Sequence, residues 1–116
     1  MAKAQRFSIG IDDLRAARGK VESLSFHGDS PEALASQLQT ALQQSALFDQ
    51  WRAMQPDPDD VDPSLGATDP SATVSARQTD MNCAVQIMTT LPHAILKHRL
   101  TLLVGSHWTL RDVSAA

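Results

Sequence analysis

The stretch from Pro56 to Pro70, PDPDDVDPSLGATDP, constrains this chain more than any other. Four prolines and five aspartates fall within fifteen residues. Proline fixes φ and removes a backbone donor, and the aspartates bring charge that resists burial. No helix or central strand runs through such a segment, so residues 56–70 read as an exposed acidic loop. The loop splits the chain into an N-terminal part that ends in a helix and a C-terminal part that reads as strands. With 116 residues in all, both parts belong to a single domain spanning 1–116.

Residues 1–19 lack clean periodicity. Gly10 and Gly19 break the segment around Ile9, Ile11 and Leu14, and it reads as a loosely attached N-terminal arm. From Lys20 to His27 the pattern alternates, with Leu24 and Phe26 set against Ser23, Ser25 and His27. That period predicts a strand ended by Gly28 and Asp29. A helix start follows: Asp29 or Ser30 can cap, Pro31 suits the first turn, and Glu32 lies three residues after Asp29. Leu34, Leu38, Ala41, Leu42 and Ser45 fall on one side of this helix. Leu47, Trp51 and Met54 point elsewhere, which requires a bend or restart near Ser45 or a second apolar face. Internal packing is the favoured reading for Trp51, and an outward Leu47, Trp51, Met54 face is the candidate protein contact.

Beyond the loop the pattern predicts a meander. Residues 72–79 form a weak strand, Asp80 and Asn82 a turn, and residues 83–90 an alternating strand with Val85 and Ile87 on one face. Pro92 marks a connection. Residues 94–104 read as a strand with Leu96, His98, Leu100, Leu102 and Val104 on one side and Lys97, Arg99 and Thr101 on the other. Gly105-Ser106 then serves as a two-residue hairpin turn before a strand containing Trp108 and Leu110. The expected fold is α+β, with one main helix packed on a curved antiparallel sheet of about five strands. Leu34, Leu38 and Leu42 should meet Phe26, Leu100, Leu102 and Trp108.

Charge is segregated along the chain. Residues 1–30 balance at +1, residues 31–70 at −6 and residues 71–116 at +2, which sums to the net −3. On the predicted meander, Arg77, Lys97, Arg99 and Arg111 share the outer sheet face. A cationic sheet face suits a phosphate backbone, although no aromatic residue there offers base stacking.

Catalytic and metal chemistry find no anchor in the sequence. The acidic loop fails the EF-hand spacing from either Asp57 or Asp60, since a glycine and a glutamate are missing at their required places. His93 and His98 match no zinc spacing with Cys83, and a lone cysteine makes no internal disulfide. There is no G-x-S-x-G elbow, and the five glycines are isolated. Ser106 and His107 are adjacent, so in a strand their side chains diverge. The sequence therefore predicts no enzyme, no cofactor and no metal. No window approaches a membrane span and the N-terminus carries no leader pattern, so the expectation is a cytoplasmic protein with no membrane partner.

The helix beginning SPEALASQLQTALQQ, followed later by LPHAILKHRLTLLVGSHWTLRDV, resembles a family of small bacterial proteins, of the kind found in xanthomonads, whose function is not established. A helix leading into a curved meander is also similar in outline to Sm-like small barrels. That resemblance implies a Sm-like partial barrel and RNA binding, though no Sm motif can be placed residue by residue. Two functional expectations follow. One is a non-catalytic interaction module acting on an unknown protein partner or by self-association, through an exposed sheet edge or the Leu47, Trp51, Met54 face. The other is a small RNA- or DNA-binding protein using Arg77, Lys97, Arg99 and Arg111.

Overall fold

The computed structural model describes residues 3–79 and 82–115; the turn expected at Asp80 lies outside them. Strand β1 (Gln5–Ile11) is followed by α1 (Pro31–Gln43) and α2 (Ala46–Ala53). Strands β2 (Thr73–Thr79) and β3 (Asn82–Thr89), helix α3 (His93–Val104) and strand β4 (Trp108–Ala115) complete the chain. The sheet order is β2-β3-β1-β4, antiparallel throughout. With α2 set aside, this is the β-α-β-β-α-β order of the ferredoxin-like split βαβ arrangement. The first and last strands in the order pair with one neighbour each, so the sheet is open and has four strands. It is neither five-stranded nor rolled into a partial barrel.

The N-terminal arm is the largest correction on the strand side. Residues 5–11 form a central strand, with Phe7, Ile9 and Ile11 buried. Their alternation with Arg6, Ser8 and Gly10 is a plain period of two, although two glycines nearby make the segment look broken. Residues 20–27 form turns and no strand. Leu24 and Phe26 are still buried, and the Phe26 N–H donates to Leu103 O at 2.9 Å. The segment is fastened to the end of α3, where no sheet neighbour exists for it.

Helix α1 begins as its sequence dictates. Ser30 is the cap, its hydroxyl accepting from the Ala33 N–H at 3.1 Å, and Pro31 occupies the first turn. Leu34, Leu38, Ala41 and Leu42 form the buried stripe. The helix stops at Gln43 and restarts at Ala46, so two helices replace the single main one, and with α3 the described residues hold three.

Residues 93–104 are helical, where alternation predicts a strand. Ile95, Leu96, Arg99, Leu100, Leu103 and Val104 are buried, a spacing of 3.6 and not of 2. Leucines four apart fit both periods. The brackets decide: Pro92 sits at the N-terminus and Gly105 just past the C-terminus, the usual helix punctuation. Gly105 has φ +64 and donates to Thr101 O at 3.0 Å, so it ends a helix and does not turn a hairpin. A Cβ there would also stand 2.6 Å from Arg18 O.

The inner sheet face (Phe7, Ile9, Ile11, Cys83, Val85 and Ile87) meets Leu34, Leu38, Leu42, Leu96, Leu100 and Leu103 in one core. The molecule's shortest extent is 19 Å, enough for two layers. The opposite face of the sheet, with Arg6, Ser75, Arg77, Gln86 and Met88, is exposed. No helix of the described residues is long and apolar enough to cross a membrane.

Candidate functional site

The four residues assigned to a cationic sheet face do not share one. Arg77 lies on β2 and Arg111 on β4, at opposite edges of the sheet. Lys97 and Arg99 belong to α3. Lys97 is exposed and lines an open groove with Arg18, Lys20, Thr101 and Trp108. Arg99 is fully buried. The outer face gains Arg6, which is exposed opposite Met88.

Arg99 is the largest fully buried side chain in the protein. Its Nε donates to Ala41 O at 3.3 Å, Nη1 to Leu65 O at 2.6 Å and Nη2 to Ala67 O at 3.2 Å. The guanidinium also lies 5.4 Å from the centre of the Phe48 ring. Burial pushes its pKa down, and the negative charge of Asp49 opposes that shift. Five fixed donors suit guanidinium to this task, because one side chain can reach three carbonyls at once. The result ties α3 to the end of α1 and to the 3-10 turn at Pro63–Gly66.

His98 sits beside it, half-buried, its ring 4.4 Å from that of Trp51 and edge-on to Phe48. Its Nε2 is buried and finds no hydrogen-bond partner among the described residues. Burial, reinforced by the charge of Arg99, holds its pKa below the usual range. Trp51 therefore packs internally. Leu47 is half-buried against the core, and Met54 is exposed. Leu47, Trp51 and Met54 do not form one outward face.

A second buried group closes the same side of the molecule. Asp69 Oδ2 accepts from Thr89 Oγ1 at 2.8 Å and from the Thr90 N–H at 3.0 Å, while Oδ1 accepts from the Ser71 N–H. Burial raises its pKa, but those hydrogen bonds outweigh it and leave the carboxyl below its ordinary value. The Asp69 N–H donates to Leu42 O at 2.8 Å.

These contacts deliver the chain to β2, and α1 then covers that strand's edge. Gln39 Oε1 accepts from the Val74 N–H at 2.9 Å, and Gln43 Nε2 donates to Ala72 O at 2.9 Å. Glutamine at two successive turns of one helix face supplies an acceptor and a donor, the pair an edge strand lacks. Edge β4 is different. It pairs with β1, and among the described residues no hydrogen bond from a side chain or loop reaches Trp108–Ala115. Val113 is 42% exposed, a large apolar side chain on a bare edge.

Strand β4 also carries a bulge. Ile9 pairs with Leu110 and Ser8 with Asp112, so Arg111 is the extra residue. Its guanidinium lies over Gly10, where a side chain on residue 10 would otherwise stand. Bulges bend a strand and re-aim its side chains. Sequence reasoning missed this edge because it took β1 for a loose arm, leaving β4 with no assigned neighbour. No group of His, Cys, Asp or Glu among the described residues is arranged to hold a metal. Cys83 is buried on the inner face, and burial, with Glu32 adding to it, pushes its thiol pKa up.

No protein family, curated protein or solved structure matches the chain.

Proposed function

We propose that this protein is a non-catalytic interaction module that recruits an extended polypeptide segment by strand addition at β4. The observation that carries this reading is the asymmetry of the two sheet edges. Gln39 of α1 accepts from the Val74 N–H of β2 and Gln43 donates to the Ala72 carbonyl just before that strand, whereas no side chain or loop of the described residues bonds the eight residues of β4, whose outer row of backbone groups faces solvent. An unpaired strand edge is a template for another strand, and the main-chain hydrogen bonds supply the affinity. The buried titratable groups support a non-catalytic role. Arg99 spends its donors on three backbone carbonyls, and Asp69 its oxygens on two backbone N–H groups and the Thr89 hydroxyl.

The test is nuclear magnetic resonance of the labelled protein titrated with a soluble alternating Thr-Val peptide, neutral in register and flanked by lysines. Saturable shifts and slowed amide exchange confined to 108–115 are expected. Shifts at 73–79 instead, or none at either edge, overturn the reading.

One observation favours a second reading, binding of RNA or DNA: Arg6, Arg77 and Arg111 stand on the uncovered sheet side. The described positions of that face, Ser8, Ser75, Ala84, Gln86 and Met88, offer no aromatic ring for stacking. Binding of single-stranded RNA that weakens steeply with salt and is lost in R77E/R111E would support it.

A further inference from the structure

We infer that the strand added at β4 is the β4 of a second copy, paired antiparallel about a two-fold axis that passes between Arg111 and Asp112. This inference rests on the strand-addition reading and adds to it the partner and the register. The bulge is what permits that register.

The β1 register, the core contacts and the Arg111–Gly10 packing assign each β4 side chain to a face. Trp108 and Leu110 pack against the core, so they point inward. Val113 lies opposite the buried Phe7 and shares its inward side, as Ala115 does opposite Gln5. Thr109 lies opposite Gly10, Asp112 opposite Ser8 and Ser114 opposite Arg6, all on the outer side. Arg111 packs over Gly10, also outside. The sequence of faces from 108 to 115 is in, out, in, out, out, in, out, in. It reads the same in both directions.

A two-fold axis perpendicular to a sheet keeps inward residues inward. In a regular strand, neighbouring residues point to opposite faces, so 111 could never stand across from a partner's 112 with both on one side. The extra residue removes that obstacle. Each residue i then meets residue 223 − i of the other copy. Arg111 faces Asp112 and Asp112 faces Arg111, two opposite-charge pairs. Leu110 faces Val113 twice, covering the exposed valine. Thr109 faces Ser114, and Trp108 faces Ala115. Opposite charges and apolar pairs directly across an antiparallel ladder are the favourable combinations. The pairing is closed, because an isologous contact uses the same edge on both copies and leaves none to continue. A contact of one eight-residue strand lies at the small end of specific interfaces, so the association is weak and reversible.

The test is sedimentation equilibrium of the full chain from low micromolar to submillimolar concentration. The expected mass rises from 12.6 kDa toward twice that value. R111D sets Asp against Asp, D112R sets Arg against Arg, and each should weaken the dimer tenfold or more. R111D/D112R restores opposite charges and should recover affinity to within about threefold, because the exchange re-creates an equivalent pair in the same register. Mixing the two single variants should give a heterodimer. Circular dichroism of each variant checks that the fold is intact. A wild-type chain that stays monomeric throughout, or a double exchange that does not rescue, overturns the inference. If the monomeric chain still binds the Thr-Val peptide at 108–115, self-pairing falls while strand addition stands. If it binds neither, both fall.

Discussion

At one edge of the sheet, β2 is held by a helix, by the chain that leads into it and by two buried charged groups. At the other, β4 hydrogen-bonds to β1 and to nothing else among the described residues. The two strands are of similar length, and both are exposed on their outer face. What separates them is the source of their edge partners. Gln39 and Gln43 stand on a helix already locked to the core by Leu34, Leu38 and Leu42. Arg99 and Asp69 hold the approach to β2 from α3 and β3. Among the described residues, no polar side chain on a packed element hydrogen-bonds to β4. The comparison teaches that an edge is closed by polar side chains projecting from packed elements, and that burial of the strand itself does not close it.

The largest change to this contrast comes from removing the arginine. Arg99→Ala leaves the buried Ala41 carbonyl and two partly buried ones, of Leu65 and Ala67, without their donor and a space beside Phe48, and should cost about 3 kcal/mol in a urea titration. A loss under about 1 kcal/mol would mean that Arg99 does not hold the β2 side. Asp69→Ala deprives Thr89, Thr90 and Ser71 of their acceptor, with an expected loss of about 2 kcal/mol. Its signature is amide exchange that rises first at 69–76, while 108–115 is unaffected. Gln39→Ala exposes the Val74 N–H and should cost about 1 kcal/mol. It also frees the first backbone donor of the β2 edge, so weak binding of the Thr-Val peptide should begin at 73–76.

The pH dependence follows from the same side of the molecule. The folded pKa of His98 lies below its ordinary 6.5, so the unfolded chain takes up the proton first as pH falls. The stability contributed by neutral His98 is complete above about 6.5 and is lost as pH falls toward the folded value. His98→Phe should flatten that slope in thermal melts between pH 7 and pH 5. An unchanged slope would assign it to another group. Asp69 acts in a lower window. Its contribution is present above the ordinary 3.8 and disappears as pH falls through its depressed folded value. The smallest effect belongs to the bare edge. Val113→Thr should leave monomer stability within about 0.5 kcal/mol of the parent, because a surface side chain with no fixed partner contributes little.

The parts of this fold legible in the sequence are those written in local chemistry. Ser30-Pro31 and the Leu34, Leu38, Leu42 stripe state where α1 begins and which face it buries. The strands near 73–79 and 83–89 and the final strand also follow from spacing, while at Ser45 the pattern leaves a restart and a second apolar face open, and the structure has the restart. Residues 56–70 form no long element, as their prolines require, only short 3-10 turns at Pro58–Asp60 and Pro63–Gly66. Three segments were misread. Residues 5–11 alternate plainly but sit among glycines, residues 20–27 alternate yet find no sheet neighbour, and residues 93–104 carry leucines four apart that fit both periods; each choice depends on neighbours distant in sequence. Arg99 is the sharpest instance. A period of two puts it on the outer face with Lys97 and Thr101, yet it lies on the 95, 96, 99, 100, 103 stripe that a helix reading would have marked as buried.

Local patterns along the chain therefore suffice for the α+β class, the start and inner face of α1, the break at the acidic segment and three of the four strands among the described residues. The tertiary structure alone decided the strand order, the helical state of residues 93–104, the burial of Arg99 and which edge of the sheet is closed. The physical reason is range. Caps, prolines and apolar periods act within a turn or two of chain. Gln39 with Val74, Arg99 with Ala41 and the bulge of Arg111 against Gly10 join residues 35, 58 and 101 positions apart, and such pairings exist only once the core has brought those segments together.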